Sequence, residues 1–185
     1  MIDEFLQDAD HRMKGAVNSL DIDLGALRTG RASTKLVERL LVEMYGVETP
    51  LNQMASISVP EPQQLAIRPY DANAVKAVER AIMTSDIGIM PNSDGKIIRL
   101  NMPRLTEERR RDLRKRMGKR VEEAKVAVRN VRRDVLNDIR DLKTEKMVTE
   151  DEAFAGQEDL QKLTDRFIKT IETLGEQKEA EIMEV

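Results

Sequence analysis

The residues of this sequence best suited to bind a charged ligand are three arginines on one short segment. The run Val126–Asp134 reads VAVRNVRRD and carries Arg129, Arg132 and Arg133. A guanidinium group is a planar fork of donors that can bind two phosphate oxygens at once or stack on a base. These residues therefore indicate recognition of a polyanion rather than catalysis.

No constellation typical of catalysis accompanies the arginines. The chain has no cysteine and one histidine, His11, so a thiol nucleophile, a disulfide and a thiolate metal site are excluded. The motifs HExxH, GxSxG and the P-loop do not occur. We therefore predict no catalytic residue, no metal site and no bound cofactor; an enzyme with an unrecognised site is one alternative.

The arginine run lies inside a long amphipathic pattern, Leu105–Met147. Apolar residues recur at steps of three and four, which predicts one continuous helix with Thr106 as its N-cap. At about 1.5 Å per residue this helix approaches 60 Å, too long for the interior of a compact domain. Other elements must therefore lie along it.

The polar side of this predicted helix is sorted by charge. With Arg129 as the origin and about 100° per residue, a group of cations falls within roughly 40° of it. This group, the basic ridge, comprises Arg111, Lys115, Lys125, Arg129, Arg133, Arg140 and Lys143. Arg132 lies near −60°, whereas most acids lie beyond +100° by the same count. Because exposed helices usually mix their charges to gain i,i+4 pairs, the sorting favours a surface for a polyanion; an ordinary solvated face is the alternative.

The net charge of −3 hides a strong separation of charge along the chain. Residues 104–148 hold 16 Lys and Arg against 9 acids, whereas residues 149–185 hold 4 against 11. The N-terminus is acidic, unlike a signal peptide, and no apolar run approaches the ~18 residues of a membrane span. We therefore expect a cytoplasmic protein with no membrane partner.

Three helical patterns and one alternating region predict an α+β fold. Residues 2–28 form a first helix, and Thr149 with Glu152 has the spacing of a capping box that opens a third. The apolar stripe of the third helix is predicted to comprise Phe154, Leu160, Leu163, Phe167, Ile171, Leu174 and Ile182. The short corner after Met147 makes helices two and three antiparallel, which predicts a three-helix bundle of long helices. Residues 37–102 alternate with a period of two and contain one short helix, which predicts a small β/α/β sandwich inserted into the bundle.

The bounds of the predicted domains are the positions at which the period of the apolar residues changes from that of a helix to that of a strand. Residues 1–30 and 105–185 form the bundle, and residues 31–104 form the inserted domain. The chain passes between them twice, so we predict a hinge at 29–31 and 102–105. It comprises Arg28, Gly30, Arg31, Pro103, Arg104 and Leu105.

Six segments of the chain resemble the bacterial ribosome recycling factor family, in order and at the family's spacing. They are RTGRAS (28–33), YGVETPL (45–51), PNSDGK (91–96), LTEERR (105–110), VAVRNVRRD (126–134) and QKLTD (161–165). The resemblance spans essentially the whole chain and implies a three-helix bundle with an inserted β/α/β domain in an L shape. It also implies that the protein splits post-termination ribosomes together with elongation factor G, which is the partner that uses GTP.

The resemblance implies roles for particular residues. It places Arg110, Arg129, Arg132 and Arg133 on large-subunit ribosomal RNA. For Arg28 and Arg31, structural pairing with acids of the bundle is an equal alternative. The ribosome and elongation factor G are the implied partners of a monomeric protein with no small-molecule substrate. An RNA-binding helical adaptor outside translation termination is the alternative function.

Overall fold

The computed structural model describes residues 1–184 and has an α+β fold. In chain order the elements are α1 (Ile2–Gly25), β1 (Leu41–Met44), β2 (Val47–Pro50), α2 (Leu51–Met54), β3 (Ala55–Glu61), β4 (Gln64–Pro69), α3 (Val75–Thr84), β5 (Asn92–Ser93), β6 (Ile98–Asn101), α4 (Glu107–Thr144) and α5 (Glu150–Met183). Contacts between residues divide the chain into two compact units. The helical unit comprises Met1–Leu24 and Arg114–Ala180; the sheet unit comprises Gly25–Leu113 and, of the described residues after Ala180, 181–184.

The helical unit is the predicted three-helix bundle, and two ion pairs show the relative direction of its first two helices. Arg12 of α1 bonds Asp134 of α4 at 2.8 Å, and Asp23, near the other end of α1, bonds Arg120. The residue numbers rise on one helix as they fall on the other, so α1 and α4 are antiparallel.

Helix α5 is antiparallel to α4 by the same reasoning. Lys143 bonds Glu150 at 2.9 Å near the corner between the helices, and Lys125 bonds Glu172 at 2.9 Å further along. The apolar stripes of all three helices meet in a core of mainly aliphatic residues, so burial of these stripes holds the bundle together. Its most buried members include Ala9, Met13, Leu20, Ala124, Val128, Val135, Ile139, Leu160 and Ile171.

One predicted core residue of α5 is exposed. The side chain of Phe154 is 64 % exposed, whereas Ala153 is 1 % exposed. At about 100° per residue, Phe154 lies roughly 120° from Leu160 around the helix, but Ala153 lies within about 20° of it. The prediction for Phe154 is wrong because it gives the aromatic character of the residue more weight than its angle.

The sheet unit has its own antiparallel sheets and its own core. Strands β1 and β2 form a hairpin, and a four-stranded sheet has the order β3-β4-β6-β5. Helix α3 packs Val75, Val78 and Ile82 into the core that these strands line. The alternating pattern predicts β1, β3, β4 and β6, but it misses β2, α2 and β5. The residues of β2 read VETP and show no clear alternation, and α2 and β5 have only four and two residues.

The helix ends follow local hydrogen bonds. The N–H of Arg109 donates to Thr106 Oγ1 at 3.2 Å, which confirms Thr106 as the N-cap of α4. Thr149 and Glu152 form the predicted capping box at the start of α5, with bonds of 2.8 and 3.2 Å. Helix α1 ends at Gly25 rather than at residue 28, and the low helix propensity of glycine favours an end there.

Candidate nucleic-acid interface

Helix α4 holds Arg129, Arg132 and Arg133 on neighbouring turns of the helical unit. The buried valines of the same helix, Val128 and Val131, fix its rotation about its axis. Arg129 and Arg133 are therefore turned to solvent, and Arg132 lies half-buried at the edge of the core. The three guanidinium groups thus belong to one side of a helix whose orientation is set by packing.

Carboxylates already pair with most of the basic ridge. The ion pairs are Arg111–Glu107 at 2.7 Å, Lys125–Glu172 at 2.9 Å, Arg129–Glu122 at 3.0 Å and Lys143–Glu150 at 2.9 Å. The bond from Lys143 lowers the pKa of the Glu150 carboxyl group from its ordinary value of 4.5. Exposed pairs contribute about 0–1 kcal/mol each, so a phosphate can replace the carboxylate at low cost in the pairs of Arg111, Arg129 and Lys143. The Lys125 side chain is only 18 % exposed, so this value does not apply to its pair.

Arg132 and Arg133 form no ion pair within residues 1–184, and neither do Lys115 and Arg140 of the basic ridge. What distinguishes Arg132 and Arg133 is that each donates a hydrogen bond to a neutral side-chain amide. Arg132 Nη1 donates to Gln161 Oε1 at 3.0 Å, and Arg133 Nη2 donates to Asn130 Oδ1 at 2.8 Å. Arg132 Nε is buried and has no acceptor among the described residues. Both guanidinium groups are thus held by neutral amides, and no carboxylate among residues 1–184 has to be displaced before a phosphate binds them.

Gln161 is oriented from its other end. Its Nε2 atom donates to Asp165 Oδ1 at 2.8 Å, so its Oε1 atom is turned towards Arg132. Sequence reasoning missed this contact, although QKLTD was among the segments that carry the family resemblance. The signal available was the spacing of Gln161 and Asp165, one helical turn apart.

The predicted hinge residues and Arg110 belong to the sheet unit. Arg28 is half-buried, and its Nη1 atom donates to the carbonyl oxygen of Ile87 at 3.0 Å. Arg31 Nη1 bonds Glu184 Oε2 at 2.8 Å, so its partner is an acid just after the end of α5. For these two arginines the structure shows intramolecular contacts, one with a backbone carbonyl and one with a carboxylate.

Gly30 lies where the two connecting segments run side by side. A Cβ atom built on it would lie 3.4 Å from Leu105 Cγ and 3.5 Å from the carbonyl oxygen of Pro103. Its φ of +80° is one that glycine adopts readily and other residues rarely adopt. Because those distances are ordinary van der Waals contacts, the backbone conformation rather than the space favours glycine here.

Beside Gly30 is a cavity of about 190 Å³, which we call the arginine cavity. Its charged lining comprises Arg31, Arg104, Arg110, Glu181 and Glu184. Thr29, buried in its wall, donates from Oγ1 to Glu181 Oε1 at 2.8 Å. The four predicted RNA-binding arginines therefore belong to two units: Arg110 lines this cavity in the sheet unit, whereas Arg129, Arg132 and Arg133 belong to the helical unit.

Among the described residues, the acidic and histidine side chains form no cluster typical of a metal site. No group of three or more His, Asp or Glu side chains within residues 1–184 is placed to hold a metal ion. None of the helices described for this chain is long and apolar enough to span a membrane.

Comparison with known proteins identifies the family. The family model for the ribosome recycling factor matches residues 20–183. This chain belongs to the ribosome recycling factor family. The resemblance found in the sequence is thereby confirmed.

Relatives in this family match the chain from end to end. The ribosome-recycling factor of Roseiflexus sp. (strain RS-1) is 54 % identical over 185 residues, and that of Chloroflexus aurantiacus is 50 % identical, each covering 100 % of both chains. A solution structure of the ribosome recycling factor covers 100 % of this chain and 98 % of its own, with 44 % identity and a TM-score of 0.82. A structure of the T. thermophilus factor, bound with E. coli elongation factor G to the E. coli post-termination complex, covers 100 % of both chains with 40 % identity and a TM-score of 0.73.

Proposed function

We propose that this protein recycles ribosomes after termination, as a cytoplasmic monomer that acts without catalysing a reaction of its own. In this proposal it splits the post-termination complex together with elongation factor G, which supplies the GTPase, and α4 binds large-subunit ribosomal RNA. Support for the partners comes from the T. thermophilus relative, which is placed on such a complex with elongation factor G.

The observation that carries the RNA contact is the state of Arg132 and Arg133. Both guanidinium groups are bonded to neutral amides instead of carboxylates. An RNA phosphate can therefore bind them without first displacing an intramolecular carboxylate. Arg129 joins them if its exposed pair with Glu122 opens, which costs about 1 kcal/mol or less.

The function is tested by sedimentation of post-termination ribosomes. Splitting into subunits is expected only when this protein, elongation factor G and GTP are all present. Binding to ribosomes without splitting under any of these conditions would indicate an RNA-binding adaptor instead. Splitting with a non-hydrolysable GTP analogue would contradict the requirement for the partner's GTPase.

We also propose that segments 29–31 and 102–105 act as a hinge between a bundle domain (1–30 and 105–185) and an inserted domain (31–104). Neither segment contains a helix or strand, and they run side by side at Gly30. Gly30→Ala should strain the positive φ and slow recycling, with an expected cost of about 1–2 kcal/mol. Gly15→Ala, within α1 and with open space around it, is the matched control. Equal recycling rates for the two variants would contradict a hinge at Gly30.

A further inference from the structure

Within residues 1–184, three arginines but only two carboxylates line the arginine cavity. Glu184 is bonded to Arg31, and Glu181 is bonded to the Thr29 hydroxyl group. The guanidinium groups of Arg104 and Arg110 form no ion pair or hydrogen bond with any residue in 1–184. Two cations without a partner among residues 1–184 thus line one concave surface.

Arg110 is the more constrained of these two residues. It is half-buried, and its Nε atom is shielded from solvent with no acceptor among residues 1–184. An unsatisfied buried donor destabilises a protein, and two like charges beside one cavity repel each other. An anion bound in the cavity would relieve the repulsion and provide acceptors for the exposed nitrogens.

From this arrangement we infer that the arginine cavity is a binding site for a phosphate group, held by Arg104 and Arg110. Guanidinium forks bind phosphate oxygens in pairs, and the cavity of about 190 Å³ has room for a phosphate with its ester substituents. Two sources provide this chemistry: a phosphodiester of RNA and a free phosphate compound. The RNA source rests on the proposed function, whereas the site itself does not.

Glu184 competes with the phosphate in this scheme. Its pair with Arg31 is exposed on both sides, with side-chain exposures of 66 % and 55 %. Such pairs are weak, so a phosphate can recruit Arg31 by displacing Glu184. Removing the charge of Glu184 should therefore strengthen phosphate binding. The carboxylate would no longer repel the phosphate, and Arg31 would be free to bind it.

The site is tested on the purified full-length chain with inorganic pyrophosphate as the probe. Arginine side-chain NMR signals are followed during the titration, with chloride used to hold the ionic strength constant. Saturable shifts are expected at Arg104 and Arg110. Arg104→Gln should weaken binding about tenfold, which corresponds to the loss of a charge-assisted contact, and Glu184→Gln should strengthen it.

Arg39→Gln is the matched control, because Arg39 is an exposed arginine of the same unit that does not line the cavity. It should leave the affinity for pyrophosphate unchanged. A linear, unsaturable response of the wild-type signals would overturn the site. So would equal losses in the Arg39→Gln and Arg104→Gln variants, since binding would then follow total charge.

The source of the phosphate is decided by the salt dependence of ribosome binding. If RNA supplies it, Arg104→Gln should make the dependence shallower by about 0.7–0.9 in the logarithmic slope, one phosphate's share of released counterions. An unchanged slope with intact pyrophosphate binding would assign the site to a free phosphate compound. If wild-type protein fails to split ribosomes, the proposed function fails, but the pyrophosphate titration still decides the site.

Discussion

At the scale of single residues, restraint distinguishes Arg132 from the other cations of α4. Its side chain is half-buried, one nitrogen is fixed by Gln161, and another is enclosed without an acceptor among residues 1–184. A side chain that is already fixed loses less conformational entropy when it binds a phosphate. Among Arg129, Arg132 and Arg133, we therefore expect Arg132 to contribute most to ribosome binding.

Arg132→Ala should weaken ribosome binding by about 1–3 kcal/mol, the range for a hydrogen bond to a charged group. The dependence of binding on salt should also become shallower, because one fewer counterion is released from the RNA. The measurement is a salt titration of ribosome binding, with circular dichroism to show that each variant is folded. Arg116→Ala is the control, since Arg116 is exposed and lies about 140° around α4 from Arg129. Equal losses for the two variants would show that α4 binds through its total charge.

Gln161→Glu tests whether a neutral partner for Arg132 matters. The substitution keeps the size of the side chain but places a carboxylate where Gln161 Oε1 now accepts from Arg132 Nη1. The new ion pair would compete with RNA, so ribosome binding should weaken several-fold at low salt, and the difference should shrink as salt screens the pair. Glu158→Gln, an exposed position earlier in α5, is the control. Unchanged binding of the Gln161→Glu variant at low salt would argue against Arg132 as a phosphate contact.

At the scale of secondary structure elements, the caps and stripes of the helices could be predicted from the sequence. Thr106 and the pair Thr149 and Glu152 are identifiable from spacing alone, because a cap is a local hydrogen bond between neighbours in sequence. Phe154 is misplaced by the sequence pattern, and β5 is missed, because exposure and short pairing depend on distant parts of the chain. Interactions between neighbours in sequence can thus be predicted from the sequence, whereas tertiary contacts cannot.

The capping box makes the stability of α5 depend on pH. The N–H and hydroxyl groups of Thr149 donate to Glu152 and lower the pKa of that carboxyl group from its ordinary value of 4.5. A lowered folded-state pKa stabilises the fold above the unfolded-state pKa, and this stabilisation is lost as the pH falls through the folded-state value. Glu152→Ala should therefore lower the melting temperature at pH 7, by an amount that shrinks as the pH falls below about 4.5.

Thermal melting of wild type and Glu152→Ala between pH 7 and pH 3 measures this effect. Glu158→Ala removes an exposed acid from the same helix, outside its first turn, and should change the melting temperature little at any of these pH values. A difference between wild type and Glu152→Ala that stays constant with pH would show that the carboxylate charge does not stabilise the cap.

At the scale of the whole molecule, the positions of the candidate residues around α4 were predictable from the sequence, but their ion pairs were not. Periodicity located the basic ridge on α4, because an angle around a helix depends only on the sequence. It did not show that α5 supplies Glu172 and Glu150 to Lys125 and Lys143, since those pairs depend on the register of two helices. The acidic charge of residues 149–185 is partly used in this pairing. The pairing therefore removes Lys125 and Lys143 from the cations that a polyanion could bind without displacing a carboxylate.

The last prediction concerns how far damage to one core spreads through the protein. Val128 is fully buried in the helical unit, whereas Val126, two residues earlier on α4, is 45 % exposed. Val128→Asp places a carboxyl group among aliphatic side chains and should cost about 3 kcal/mol or more, whereas Val126→Asp should change stability by about 0.5 kcal/mol or less. Because the sheet unit has its own core around Leu65, Ile67 and Ile98, its NMR signals should stay folded in Val128→Asp while those of the bundle broaden or disappear. Loss of both sets of signals in one transition would show that the sheet unit depends on the bundle for its stability. Equal melting temperatures of the Val128→Asp and Val126→Asp variants would show that the assigned rotation of α4 is wrong.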